Sequence, residues 1–350
     1  MNILDYVRMR GDVSFRQMPL NEVDVLALST YVSLNLEGLA EGKPTVADLT
    51  QLYFDSDNEK DARDDYLGKK EKLIEYMSQS KRYSKVRLET FDKIIDAENE
   101  MTFYAVTLQI NPFLKMVAFR GTDGSLMSWK ENFNTLYQYP TAGQTCAVNY
   151  INGMKLKFYE KLIVCGHSKG GNLACYASAY CNSRIRDKIR DIYIYDGPGF
   201  EIDLSGDADM NSIIDRIHGF IPVSSVVGRL MYVPFPSEVV ASVGNGIYQH
   251  DVYNWQVGPT GFDKAGGVNA FSDSVSGKIN NWIQNIPKER RKEVIDELFA
   301  VFESVGIDHS DKFTRMNIKT MIGLLMGLRS LSADNIKLLV IIMKEVMAAH

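Results

Sequence analysis

Apolar positions change their spacing along this chain, and the changes divide it into three parts. Up to about residue 80 the spacing is helical. Asn21-Glu-Val-Asp-Val-Leu-Ala-Leu-Ser-Thr-Tyr-Val-Ser33 puts its apolar residues at helical intervals after a capping-type Asn, and the charged run 57–78, ending in Leu73-Ile-Glu-Tyr-Met77, reads as a solvated helix face. From Val86 the period shortens. Leu88–Ile95, a polar break at Asp96–Glu100, and Met101–Leu108 predict a β-hairpin, and Leu114–Phe119 predicts the next strand. Residues 127–138 and 145–160 have helical composition, Leu162–Cys165 is a short buried strand, and Asn172–Tyr180 is again helical. Strands follow at Ile192–Tyr195 and Ile213–Ile221, then a long connection with several glycines and prolines over 223–250. Past Trp255 the chain returns to helix, with amphipathic candidates at 287–304, 312–328 and 333–348, the last capped by Asp334.

Strands alternating with helices predict an α/β fold, a mostly parallel sheet with helices on both faces. The expected organisation is one domain over 1–350, with a helical N-terminal part at about 1–80, a core at about 86–260 and a helical C-terminal part at about 270–350. There is no internal repeat.

Between the buried strand and the following helix lies Gly166-His167-Ser168-Lys169-Gly170, a G-x-S-x-G segment. A serine at the tip of a strand-to-helix turn holds a strained backbone, so the residues two before and two after it must be small. Gly166 and Gly170 meet that demand. The same turn aims the N–H of Lys169 and the helix N-terminus at a developing oxyanion.

A serine nucleophile needs a base, a group to orient that base, and oxyanion donors. Elimination among the five histidines singles out one. His167 lies inside the turn, His218 in a strand, His309 in a C-terminal helical region, and His350 ends the chain. His250 sits on a loop after the last core strand, where the order serine, acid, histidine places the base. For the acid, Asp196 ends the strand after the elbow, at the carboxyl edge of the sheet. It also reads as a turn former in Asp-Gly-Pro-Gly. Asp251 adjoins His250 too closely to pair with it, and Asp215 starts a strand at the wrong edge.

Composition narrows the remaining choices. The chain has 350 residues, 45% hydrophobic and 24% charged, typical of a globular protein with a substantial core. A net charge of −5 gives no reason to expect a nucleic-acid partner. No apolar run approaches the roughly 20 residues of a membrane span, and the start Met-Asn-Ile-Leu-Asp-Tyr-Val-Arg lacks the pattern of a secretory signal. Cys146, Cys165, Cys175 and Cys181 have no metal-type spacing, so no metal is expected, and the simplest location is a reducing cytoplasm.

Phe119-Arg-Gly-Thr122 followed by Trp129, together with Gly166-His-Ser-Lys-Gly-Gly-Asn172, resembles the class 3 (fungal-type) lipase family. The resemblance implies that Thr122 and the N–H of Lys169 form the oxyanion hole. In that family the acid lies in a later segment, whose counterpart here, Ser224-Ser225-Val-Val-Gly-Arg229, carries serine. Asp196 instead resembles the acid of pancreatic-type lipases, one strand earlier, and leaves Ser224 and Ser225 as bystanders. Over its whole length the chain is similar to the bacterial Mbeg1-like proteins, through Met1–Arg8, Phe91–Ile95, Asp196-Gly-Pro-Gly-Phe200 and Gln249-His250-Asp251. That resemblance implies an α/β-hydrolase fold without an assigned activity.

The expected function is a serine hydrolase of lipase or esterase type, with Ser168, His250 and Asp196 acting on a small-molecule or lipid ester without a cofactor. A thioesterase or acyltransferase would use the same residues, and a non-catalytic interaction module would use none. Segment 223–250 reads equally as a lid or a surface connection.

Overall fold

The computed structural model describes residues 1–58 and 64–309. Seven strands form one sheet in sequence order: β1 (Arg87–Asp96), β2 (Met101–Asn111), β3 (Leu114–Phe119), β4 (Lys161–His167), β5 (Ile189–Tyr195), β6 (Ile217–Pro222) and β7 (Ser237–Val240). The first three pair antiparallel as a meander, and β3 to β7 run parallel. The parallel strands are joined by α5 (Leu126–Asn134), α6 (Ala142–Asn152), α7 (Lys169–Tyr180), α8 (Ser183–Arg186) and α9 (Ala208–Asn211). Before the sheet come α1 (Ile3–Arg10), α2 (Glu22–Ser29), α3 (Val46–Asp55) and α4 (Asp64–Ser78); after it come α10 (Ala270–Asn285) and α11 (Lys288–Ser304).

Parallel strands that follow one another in sequence order, joined by right-handed crossovers, carry all those crossovers on one face. The other face then needs a separate cover. The residue alternation along the strands shows the division. Val117, Phe119, Val164, Ile192 and Ile194 pack with Ala147, Ile151, Leu173 and Ala177 of α6 and α7. The intervening Met116, Ala118, Ile163, Cys165, Tyr193 and Tyr195 pack with Val23, Leu26, Ala27 and Tyr31 of the N-terminal helices. The N-terminal part is therefore one layer of the fold, not decoration. Arg82 fixes it. Its guanidinium meets Asp24 Oδ2 at 2.5 Å with both side chains fully buried, and donates to the carbonyls of Val13, Met18 and Pro19. A third apolar cluster joins Trp129 and Phe133 of α5 to Val226, Val227 and the inner faces of α10 and α11.

Several expected elements differ in extent. The helix expected at 145–160 begins at Ala142 and ends at Asn152. Gly153 caps it, and Glu160 closes a separate turn by accepting the Lys157 N–H at 2.7 Å. The strand expected from Ile213 starts only at Ile217, because Ile214–Arg216 is a single 3-10 turn. Arg216 spends its guanidinium on the carbonyls of Arg186 and Ile189. The connection 223–250 hides β7, four residues long and preceded by two prolines. His309 makes an isolated bridge with Ser125 rather than lying in a helix. The helices expected at 312–328 and 333–348, with Asp334 and His350, lie outside the described residues.

Candidate active site

The carboxyl edge of the parallel strands collects every candidate side chain. Arg120–Asp123 follow β3, Ser168 follows β4, Asp196 follows β5, Ser224 and Ser225 follow β6, and His250 lies in a 3-10 turn after β7.

Ser168 has φ 56° and ψ −129°, a conformation an L-residue adopts only under constraint. The constraint is close backbone packing. A Cβ on Gly166 would sit 2.2 Å from the Gly170 carbonyl, and one on Gly170 would sit 2.1 Å from the Phe119 carbonyl. Gly121 abuts the elbow too, since a Cβ there would come within 2.9 Å of the His167 carbonyl oxygen. The F-R-G-T segment is thus pressed against the serine turn. Lys169 is the first residue of α7, so its N–H has no acceptor within the helix. Thr122 is buried, and its Oγ1 accepts from Asn132 Nδ2.

His250 and Asp196 are brought together. His250 Nδ1 meets Asp196 Oδ2 at 2.6 Å with both side chains buried. With Asp196 ionised, Nδ1 carries the proton and Nε2 the lone pair. The His250 ring also stacks on His167, 4.5 Å between centroids, and its carbonyl accepts from His167 Nε2 at 3.0 Å. His167 therefore holds the His250 ring beside the serine turn. Loss of water, and then the neighbouring His250, keep the His167 imidazole well below its ordinary pKa. Asp251 turns away, pairing with Lys69 at 3.0 Å. His218 meets Asp191 at 3.3 Å instead.

Ser225 is not a bystander. Its hydroxyl donates to Asp196 Oδ1 at 2.5 Å, and the Gly228 N–H donates to the same oxygen at 3.0 Å. A Cβ on Gly228 would come within 2.4 Å of that oxygen. Ser225 is held in turn by Ser272 of α10, whose hydroxyl donates to its carbonyl, while Asn269 Nδ2 reaches Ser224 Oγ at 2.7 Å. Both Asp196 oxygens are thus engaged, one by the imidazole and one by this pair of donors. The sequence signal was a serine pair at the carboxyl end of a core strand.

A second unforeseen feature lies at the start of α7. Lys169 Nζ is buried against Glu131 Oε2 at 2.5 Å and donates to the Thr102 carbonyl and hydroxyl at 2.9 and 3.0 Å. Asn172 of α7 reaches the carbonyls of Pro198 and Gly199 and accepts from Gln144. These bonds pin the first turn of α7, which carries the Lys169 N–H.

Beside Ser168 and Lys169 opens an apolar cavity of about 60 Å³, walled by Trp129, Phe133, Leu136, Val227, Leu230 and Met231. Asp123, next to Thr122, is buried, which raises its pKa, but the Arg120 charge and the bonds from Ser125 bring it below its usual value. Burial pushes the thiols of Cys146 and Cys181 up to about 11, and those of Cys165 and Cys175 further still. None is a thiolate nucleophile at neutral pH. Among the described residues no His, Cys, Asp or Glu cluster is arranged to hold a metal ion, and no helix is long and apolar enough to cross a membrane.

A family model described as Mbeg1-like matches residues 77–300 of the chain. No curated protein matches. Among solved structures, that of M37 lipase aligns with a TM-score of 0.38 and 13% identity, covering 60% of this chain and 70% of that one.

Proposed function

The chain belongs to the Mbeg1-like family, and on that premise we propose that it is a serine hydrolase of lipase or esterase type. The observation that carries this is the buried His250–Asp196 pair, 2.6 Å apart, at the same sheet edge as a serine held at φ 56°. A buried imidazole whose Nδ1–H donates a hydrogen bond to a carboxylate, with the lone pair on Nε2, is in the state a general base needs.

Ser168 Oγ attacks the ester carbonyl while its proton passes to His250 Nε2. The oxyanion is held by the N–H groups of Thr122 and Lys169, each such donor contributing about 3 kcal/mol to the transition state. Collapse expels the alcohol, which takes the proton from His250, and leaves an acyl-Ser168. Water, activated by His250, then releases the carboxylic acid and restores the serine. Asp196 holds the tautomer and stabilises the imidazolium throughout. The apolar cavity beside Ser168 suits the acyl part of the substrate.

A non-catalytic role has one observation in its favour, the burial of the site, with Ser168 4% and His250 2% exposed. Fluorophosphonate labelling separates the two. Wild-type protein is expected to label at Ser168, and Ser168→Ala to lose both labelling and hydrolysis of short p-nitrophenyl esters while keeping its stability within about 1 kcal/mol. An unlabelled, folded wild type would establish the interaction module.

A further inference from the structure

The opposite edge of the sheet carries a surface that the proposed reaction does not use. Phe113 precedes β3, Phe158 and Tyr159 precede β4, and Lys188 precedes β5, so all four lie at the amino ends of the central strands. Phe158 is 92% exposed and Phe113 63%, the two most exposed large apolar side chains among the described residues. They form one ridge. Phe113 packs on Tyr159 at 5.7 Å between centroids and Tyr159 on Phe158 at 5.1 Å. The ridge is built rather than loose. Lys188 Nζ clamps the carbonyls of Lys157 and Phe158 at 2.7 and 3.0 Å, and the buried Glu160 carboxylate holds the Lys157 N–H at 2.7 Å. The turn therefore presents Phe158 to solvent by design of its backbone bonds.

Beside the ridge is a hollow of about 320 Å³ lined by Lys155, Arg184 and Lys188 together with Asn152 and Asn182, and no carboxylate lines it. Lys157 and Lys161 flank the same turn. Of the acids nearby in sequence, Glu160 is held by the turn and Asp187 is exposed at the end of α8, so lysine and arginine outnumber them. In a chain of net charge −5, this edge is locally basic. Aromatic side chains next to clustered lysine and arginine are the combination that favours the boundary between acyl chains and anionic headgroups.

We propose that this edge docks on an anionic lipid surface, with Phe158 entering the interface and the hollow at Lys155, Arg184 and Lys188 receiving a lipid phosphate. A soluble phosphate compound would satisfy the hollow but not the exposed aromatic ridge, and an acidic protein partner gives no use for a hollow of this size. The surface commits to lipid. It lies away from the carboxyl edge, so docking leaves the surroundings of Ser168 as they are in the free protein.

The test is co-sedimentation of the full chain with phosphatidylcholine vesicles and with mixed phosphatidylcholine–phosphatidylglycerol vesicles, at low and high salt. Wild type is expected to sediment with the anionic vesicles only, less so in high salt. Phe158→Ala should weaken binding about tenfold, and Lys155→Ala with Arg184→Ala about 25-fold, as each basic group near such a surface contributes about fivefold. Neither variant should change the melting temperature, since these side chains are exposed. The proposal is overturned by equal binding to neutral vesicles, by no binding, or by unchanged binding of Phe158→Ala. A wild-type dimer that Phe158→Ala dissociates would assign the ridge to a second copy instead. Binding of inorganic phosphate without vesicle binding would make the hollow a site for a free anion. Because sedimentation does not need catalysis, its outcome is independent of Ser168.

Discussion

At the residue scale, the proposed activity depends on the orientation of the His250 imidazole, which rests on Asp196, both of whose oxygens are engaged. Asp196→Asn keeps the shape of the side chain but offers an amide where His250 Nδ1 needs an acceptor, so the wrong tautomer is favoured. The expected loss in kcat is on the order of 10⁴. Ser225→Ala should cost about tenfold at most, since a single donor to a carboxylate is lost. The loss should fall in kcat with KM unchanged, because Ser225 touches Asp196 and not the substrate. A change confined to KM would make the serine merely structural. His167 yields a pH effect. Its folded-state pKa lies well below the ordinary 6.5, so the unfolded chain binds that proton more readily. Its contribution to stability is complete above 6.5 and declines as the pH falls below it. His167→Gln, which keeps a donor for the His250 carbonyl, should flatten that decline in denaturation curves taken across the range.

At the scale of elements, the elbow depends on how closely β3, β4 and α7 approach. Gly170 has the Phe119 carbonyl 2.1 Å from where a Cβ would stand, and carbonyl oxygens of a central strand cannot move aside. Gly170→Ala is therefore expected to cost more than about 3 kcal/mol, or to prevent folding, although alanine favours helix more than glycine does. Gly267→Ala, with nothing within 4 Å of its position, is the control and should stay within about 0.5 kcal/mol. Chemical denaturation of the two proteins checks the contrast. The strand, turn and helix here were legible because each leaves a local mark: four apolar residues, two glycines around the serine, and a helical run. Helix α6 was overextended because Lys155 to Glu160 has helical composition while its bonds run to a turn, and β7 was missed because four residues carry too short an alternation to register.

At the scale of the whole molecule, one sheet face relies on segments far away in sequence. The N-terminal helices cover it, and the Arg82–Asp24 pair, 2.5 Å apart and fully buried, locks them to the chain just before β1. Asp24→Ala leaves a guanidinium buried without its carboxylate, for which the expected cost is about 3–5 kcal/mol. The apolar cluster on that face joins residues from Ile3 to Phe262, so we propose that these parts of the chain unfold as one unit. Thermal melting followed by near-UV and far-UV circular dichroism should give coincident transitions in wild type and variant, whereas two separated transitions would show independent domains.

What the sequence determined by itself was whatever depends on neighbours along the chain: the hairpin, the parallel core strands, the serine turn and the capping of α2 by Asn21. Those follow from periodicity and from steric limits on a few consecutive residues. The order of candidate groups was also set there, since Ser168, Asp196 and His250 follow β4, β5 and β7 in one chain direction. Only the tertiary structure decided what meets across the sheet edge. Asp196 faces His250 at 2.6 Å, and Ser225, 29 positions from Asp196, donates to its other oxygen. The Lys169–Glu131 pair spans 38 positions, and Lys188 reaches back 30 positions to hold Phe158 in solvent. A hydroxyl, an ammonium or an exposed ring has no local period, and its role is set by which distant backbone the fold brings within about 3 Å, the reach of a hydrogen bond.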